Sequence, residues 1–211
     1  MLKVAVLIPG LMAGLVSNGQ YAGYKLLTDA GHFRSEFAGA SQKNISVKSD
    51  FTQEKELNML SEKMTSSGKF WFKRENRLRM EYQQPFQYLL VINQANVYIK
   101  DGDRETRLSA RSNKLFQQIN NIMMDCVRGT ALDNSDFSVR VFEGANAFLV
   151  ELTPVSKNMK EYFKNIVLII DKKNYSAVSI DMNELSGDHT TIRFLNKELN
   201  GTIPDNLFAV H

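Results

Sequence analysis

The sequence predicts a mainly β protein with some helix, built on a single antiparallel, strongly curved sheet of about eleven strands that forms an unclosed half-barrel. Three observations predict it. Two-residue alternation of apolar and polar residues recurs from Ile45 to Asn196, the period of a half-buried strand. The segments between these alternations are mostly of hairpin length, so neighbours in sequence should pair antiparallel as a meander. Helical periodicity is confined to two regions, too little helix to cover both faces of so large a sheet, which must therefore curl around its own apolar face with helices across the mouth.

The first residues read as a secretory signal. Lys3 supplies a positive start, Val4 to Val16 an apolar run, and Ser17 and Gly19 the small residues of a cleavage site. At roughly 13 residues the run is shorter than the ~20 needed to span a bilayer, and Pro9, Gly10 and Gly14 argue against a buried helix. The reading is a cleaved signal over 1–19, a single domain over 20–211, and a secreted or periplasmic location. The one cysteine, Cys126, lies far from the apolar run, so it offers no lipid attachment there and no internal disulfide. It reads as a small core residue on the inner face of a helix.

After the signal, Gly23 to Ala30 has a weak helical pattern, and Phe33, Phe37 and Ala40 fall at helical spacing. Ile45, Val47 and Phe51 then alternate in a strand through about Lys55. Phe70 and Phe72 face one way while Lys69, Trp71 and Lys73 face the other; Leu78, Met80 and Tyr82 repeat the pattern against Arg77, Arg79 and Glu81, with Glu75 and Asn76 as the turn. Pro85 interrupts the chain before Tyr88 to Ile92, which is apolar on both faces and reads as a strand covered on both sides. Asp101-Gly102-Asp103 marks a hairpin between Val97–Lys100 and Glu105–Ala110.

The pattern then becomes helical. Leu115, Phe116, Ile119, Ile122, Met123, Cys126 and Val127 form one apolar stripe, with Ser112 as N-cap and Gly129 at the end. Strands resume at Phe137–Phe142, Ala147–Leu152, Ile166–Asp171, Tyr175–Glu184 and His189–Asn196, with a helical turn over Met159–Phe163.

The charge of +3 with 26 Lys and Arg against 23 Asp and Glu is too balanced for a nucleic-acid binder. His32, His189 and His211 are isolated, without metal-ligand spacing, and no nucleophile elbow, phosphate loop or dinucleotide fingerprint is present. Neither a metal nor a cofactor is called for. Asp181, Glu184 and Asp188 could be imagined as acid and base, although carboxylates around a hairpin turn are usually solvated. The 9 Met and 13 Phe suit adaptable apolar space. Phe70, Phe72, Leu78, Met80, Leu90, Phe116, Ile119 and Met123 read individually as core and, as a set, as the lining of an apolar cavity. Arg74 falls by register on the face of Phe70 and Phe72, where it either extends to water or reaches other partners.

The ordered blocks SSGKFWFKR, NRLRMEY and PFQYLLVIN (Ser66 to Asn93) resemble the LolA family of outer-membrane lipoprotein carriers, with Glu75 where the family has Pro and Met80 where it often has Trp. SDFTQEK (Ser49 to Lys55), SNKLFQQINNIMMD, SGDHTTIRFLN and IPDNLF extend the resemblance over most of the chain. The resemblance implies an unclosed barrel with a helical lid, and an Arg74 that latches the lid by bonding its backbone carbonyls. It further implies a monomeric, non-enzymatic periplasmic carrier that takes acylated lipoproteins from an inner-membrane releasing transporter to an outer-membrane acceptor. A lipid or glycolipid binding or sensor module on the same scaffold, or a secreted enzyme, are the alternatives.

Overall fold

The structure, a computed structural model, describes residues 21–59, 62–109, 122, 124–125 and 130–209. Twelve strands form one sheet: β1 (Lys25–Leu26), β2 (Ser46–Leu57), β3 (Glu62–Lys73), β4 (Arg77–Gln84), β5 (Tyr88–Asn93), β6 (Asn96–Asp101), β7 (Arg104–Ser109), β8 (Phe137–Glu143), β9 (Ala147–Pro154), β10 (Phe163–Asp171), β11 (Ala177–Glu184) and β12 (His189–Leu199). Their order is β1-β8-β9-β10-β11-β12-β2-β3-β4-β5-β6-β7, every pair is antiparallel, and the sheet is not closed into a barrel. Two meanders, β2–β7 and β8–β12, are thus joined through β12 and β2. Eleven of these strands are those the alternation predicts. The twelfth, β1, replaces the weak helix expected over Gly23 to Ala30: its two residues pair with Glu143 and Phe142, a tertiary contact that overrides a marginal local propensity.

One face of the sheet holds the main core. Val47, Phe51, Phe70, Phe72, Leu78, Met80, Ile92, Val97, Val150, Leu152, Ile166, Leu168, Ile180, Ile192 and Phe194 are buried in a single cluster. Helix α1 (Gly31–Lys43) lies against it through Phe33 and Phe37, with Phe33 contacting Phe148 at 4.5 Å between ring centroids and stacking on Phe37 at 5.6 Å. The expected inward position Ala40 is only half-buried, while Ser41 is buried.

The other face is covered at two places. The 3-10 helix Asp205–Phe208 sets Phe208 against Val91, Trp71 and Leu89, so β5 is covered on both sides as its apolar run predicts. Tyr21 and Tyr24 cover Phe142, Leu149 and Val167, and the Tyr21 hydroxyl donates to the buried Glu151 carboxylate at 3.0 Å. Burial and that hydrogen bond push the Tyr21 pKa up to about 12.

Most of the second predicted helix lies outside the described residues, Phe116, Ile119, Met123 and Cys126 among them. Of the stretch, Ile122, Met124 and Asp125 are described and helical, with Ile122 and Met124 buried in the main core. Met124 was not on the predicted stripe. The Asp125 backbone carbonyl accepts from the backbone N–H of Thr130 at 2.9 Å and its carboxylate from the Asn134 side chain at 2.8 Å. A one-turn helix, Lys157–Lys160, occupies the start of the predicted helical turn, N-capped by Ser156.

Gly68 lies tight against the backbone of β4, beside a register shift between Ser67 and Gly68. A Cβ there would sit 1.9 Å from the Glu81 carbonyl oxygen, whereas at Gly39 in α1 it would meet nothing within 4 Å. Gly68→Ala should therefore lower the unfolding free energy by about 2–3 kcal/mol through strand displacement. Gly39→Ala should raise it by roughly 0.5–1 kcal/mol by restricting the unfolded chain in a helical position. Urea unfolding midpoints measure both, and equal shifts in the two variants would contradict this account.

Candidate functional site

The predicted cavity residues that the structure describes are brought together by strand register. Phe70, Met80 and Leu90 pair across β3, β4 and β5 as one rung, and Phe72, Leu78 and Ile92 form the next. Phe70, Phe72, Leu78 and Met80 are fully buried and Leu90 is half-buried. Two-residue periodicity puts all five on one face, and antiparallel pairing aligns them side by side. Phe194 of β12 joins them with its ring 5.1 Å from that of Phe70, and Phe51 of β2 meets Tyr82 edge-on at 4.9 Å.

Helix α1 crosses this apolar face and is held near both ends by arginines. Near its start, Arg34 donates to the Leu132 carbonyl at 2.8 Å and lies 3.5 Å from the Asp133 carboxylate. At its end, Arg74 donates through Nη2 to the carbonyls of Gln42 and Ser41, the latter at 3.3 Å. These carbonyls belong to the last turn, where a helix has no internal donors left and carries partial negative charge. Arg74 follows Phe70 and Phe72 at two-residue spacing and borders the same cleft as Phe72. β3 ends at Lys73, and Arg74 is exposed in the turn that follows, its backbone N–H bonded to the Ile45 carbonyl at 2.9 Å. Glu75 and Asn76 complete that turn with φ of 68° and 62°. The place of Arg74 one step beyond Phe72 on the same side of the sheet brings its side chain to the helix end.

Two clefts open where α1 joins β2, and Asn44 borders both. The larger, about 490 Å³, lies between Ser41, Asn44, Phe72, Arg74 and Glu75, within the ~300–1,000 Å³ of ordinary ligand sites. The smaller keeps about 30 Å³ of free space among Val47, Phe70, Tyr175, Ala177 and Phe194, with Asn44, Ser176 and Lys197 as its polar groups. Lys197 donates to Ser176 Oγ at 2.6 Å and to the Ala177 carbonyl at 2.8 Å. Burial holds its ammonium pKa below the usual lysine range, with Asp171 pulling weakly the other way. The sequence reading missed Asn44, Tyr175 and Lys197. Only Lys197 leaves a trace in the sequence, a break in the alternation after Phe194.

The three carboxylates weighed as an acid and base do not converge. Asp181 accepts from Thr191 Oγ1 at 2.6 Å and lies 3.5 Å from His189 Nε2. Glu184 pairs with Lys55 at 3.6 Å, and Asp188 accepts from the Asn58 backbone N–H at 3.0 Å. Among the described residues, no group of three or more His, Cys, Asp or Glu is placed to hold a metal ion.

A family model described as "Outer membrane lipoprotein carrier protein LolA" matches residues 42–211. The chain belongs to this family. The match starts at Gln42 in the last turn of α1, one of the two residues whose carbonyls Arg74 takes, so the LolA-family region contains the inner rungs and Arg74. No curated protein matches the sequence. Among solved structures, MucB superposes with a TM-score of 0.54 at 15% identity, covering 88% of this chain and 64% of that one. The MucA/MucB complex from Pseudomonas aeruginosa gives 0.52 at 14%, covering 87% and 61%. An uncharacterized conserved protein from Thermus thermophilus gives 0.52 at 8%, covering 87% and 95%. This LolA-family chain thus spans about three fifths of the length of the MucA/MucB chain it matches. At such identities these likenesses show a shared fold.

Arg74→Leu should leave the sheet intact and free the last turn of α1. Charge-assisted bonds of this kind are worth ~1.5–3 kcal/mol, so amide exchange over Ala40 to Asn44 should accelerate about tenfold or more, while thermal stability changes little. Unaltered protection in that turn would refute the role of Arg74 as a latch.

Proposed function

We propose that this protein is a monomeric, non-enzymatic periplasmic carrier, exported by a cleaved signal over 1–19, whose domain over 20–211 binds the acyl chains of lipoproteins. It receives them from an inner-membrane releasing transporter and delivers them to an outer-membrane acceptor. The observation that carries the reading is the arrangement of an apolar concave face under a helix whose end is fixed by a surface arginine. Membership of the lipoprotein-carrier family supports it.

The energetics fit a partial shield. A three-chain anchor of some forty-five methylenes would cost ~35 kcal/mol to expose fully, at ~0.8 kcal/mol per CH₂. Non-covalent binding saturates near 18 to 21 kcal/mol, so a carrier that must also release its cargo shields the chains in part. The inner rungs and the mouth between Phe72 and Arg74 supply apolar surface that the last turn of α1 closes over, and α1 is held there by a bond that cargo can outcompete.

A second reading is a lipid or glycolipid binding or sensor module on the same fold; the likeness to MucB, a protein also solved in complex with MucA, supports partner docking by such a module. Organic extraction of protein purified from its periplasm separates the two. The carrier reading expects lipoprotein acyl chains and retention of a synthetic triacylated lipopeptide on the protein during gel filtration. Recovery of free lipid alone favours the sensor, and failure to retain either class of ligand defeats both.

A further inference from the structure

Lys197 points inward because of a defect in the strand that bears it. Along β12, Thr190, Ile192 and Phe194 face the core and Arg193 and Leu195 face out. Continued alternation would turn Lys197 to solvent. Between Leu195 and Glu198 the register against β2 slips, with Asn196 at a φ of 51°, the left-handed conformation that Asn tolerates and that the first residue of a bulge adopts. Asn196 is fixed there by donating to Asp50 Oδ2 at 2.9 Å. The extra residue reverses the parity, so Lys197 and Leu199 face inward.

Lys197 therefore enters a cleft whose walls are Val47, Phe70, Tyr175, Ala177 and Phe194. Its two protein partners, Ser176 Oγ and the Ala177 carbonyl, are neutral. Among the described residues no carboxylate lies within ion-pair distance of it, and an ammonium has three donors, one more than these bonds use. The Asn44 amide borders the same space from the end of α1. Free space of about 30 Å³ suits roughly two water molecules, or the two oxygens of one carboxylate, and is too small for an acyl chain.

We propose that Lys197 and Asn44 form a head-group site for the carboxylate of a single-chain amphiphile, a fatty acid, whose tail lies along the apolar face beside Phe70 and Phe194. The site rests on the reading that this face accepts acyl chains, and it adds a ligand class that an esterified lipoprotein anchor lacks. The half-buried ammonium receives the counter-charge that the fold withholds. The bulge at Asn196 is the device that turns it inward.

Titration calorimetry with dodecanoate and dodecanol, both below their micellar concentrations, tests the site. Wild-type protein should bind dodecanoate about tenfold or more tightly than dodecanol, the scale of one charge-assisted hydrogen bond. Lys197→Met should bring the two affinities together with dodecanol binding unchanged, and Lys197→Arg should keep the preference. Equal affinities in wild-type protein, or a preference that persists in Lys197→Met, overturn the head-group site and leave the carrier reading standing. If neither amphiphile binds, the apolar face does not take single chains and the head-group site falls, while the carrier reading is decided by retention of the triacylated lipopeptide. The wild-type comparison decides even where a variant does not fold.

Discussion

The pairing of β12 with β2 makes one sheet of two meanders. Each meander, β2–β7 and β8–β12, consists of strands joined to their sequence neighbours, and such hairpins form locally at little entropic cost. β12 and β2 lie well over a hundred residues apart, with His189 set against Glu56 and Leu199 against Val47. That long closure brings Phe194 onto Phe70 and Ile192 beside the other inner residues, merging two half-cores into a single cluster. Hydrophobic burial across the seam offsets the closure entropy. Without it, each meander would expose its apolar face.

Curvature follows from the same seam. A twelve-stranded sheet with one apolar face must cover that face, and α1 is too short to do so alone. The sheet therefore wraps toward itself, while the opposite face is braced only where it needs cover: by Phe208 over β5 and by Tyr21 and Tyr24 over β8–β10. These outer braces tie down the two ends of the described chain and leave the concave side and its helix free for other uses.

Hydrophobic packing and polar anchoring are separated on α1. Phe33 and Phe37 are buried in the core, and their removal from it would be costly. The last turn, in contrast, is held by Arg74 at the surface, where water competes for the same carbonyls. The helix is thus fastened firmly through its aromatic residues and lightly at its end, and both clefts lie at that end. This division of labour puts the lightly held end of the helix beside Phe72, Arg74 and Lys197, with the rungs packed beneath.

Strand content and facing were determined by the sequence itself, because two-residue alternation is a local property fixed by the geometry of each strand. Eleven strands, the turn at Glu75 and Asn76, the inward faces of Phe70, Phe72, Leu78 and Met80, and the burial of Phe33 and Phe37 could all be read there. β1 could not, since two residues carry no period, and the weak helical pattern around them yields to pairing with β8. Arg74 follows Phe70 and Phe72 in register, and the family resemblance implies backbone carbonyls as its partners; only the fold shows that these carbonyls belong to the last turn of α1. Lys197 is the sharpest case: its direction depends on a bulge defined only relative to β2, far away in the chain. Periodicity decides which way a side chain faces within its own strand; pairing between distant strands decides where that strand lies and what its irregularities are aimed at.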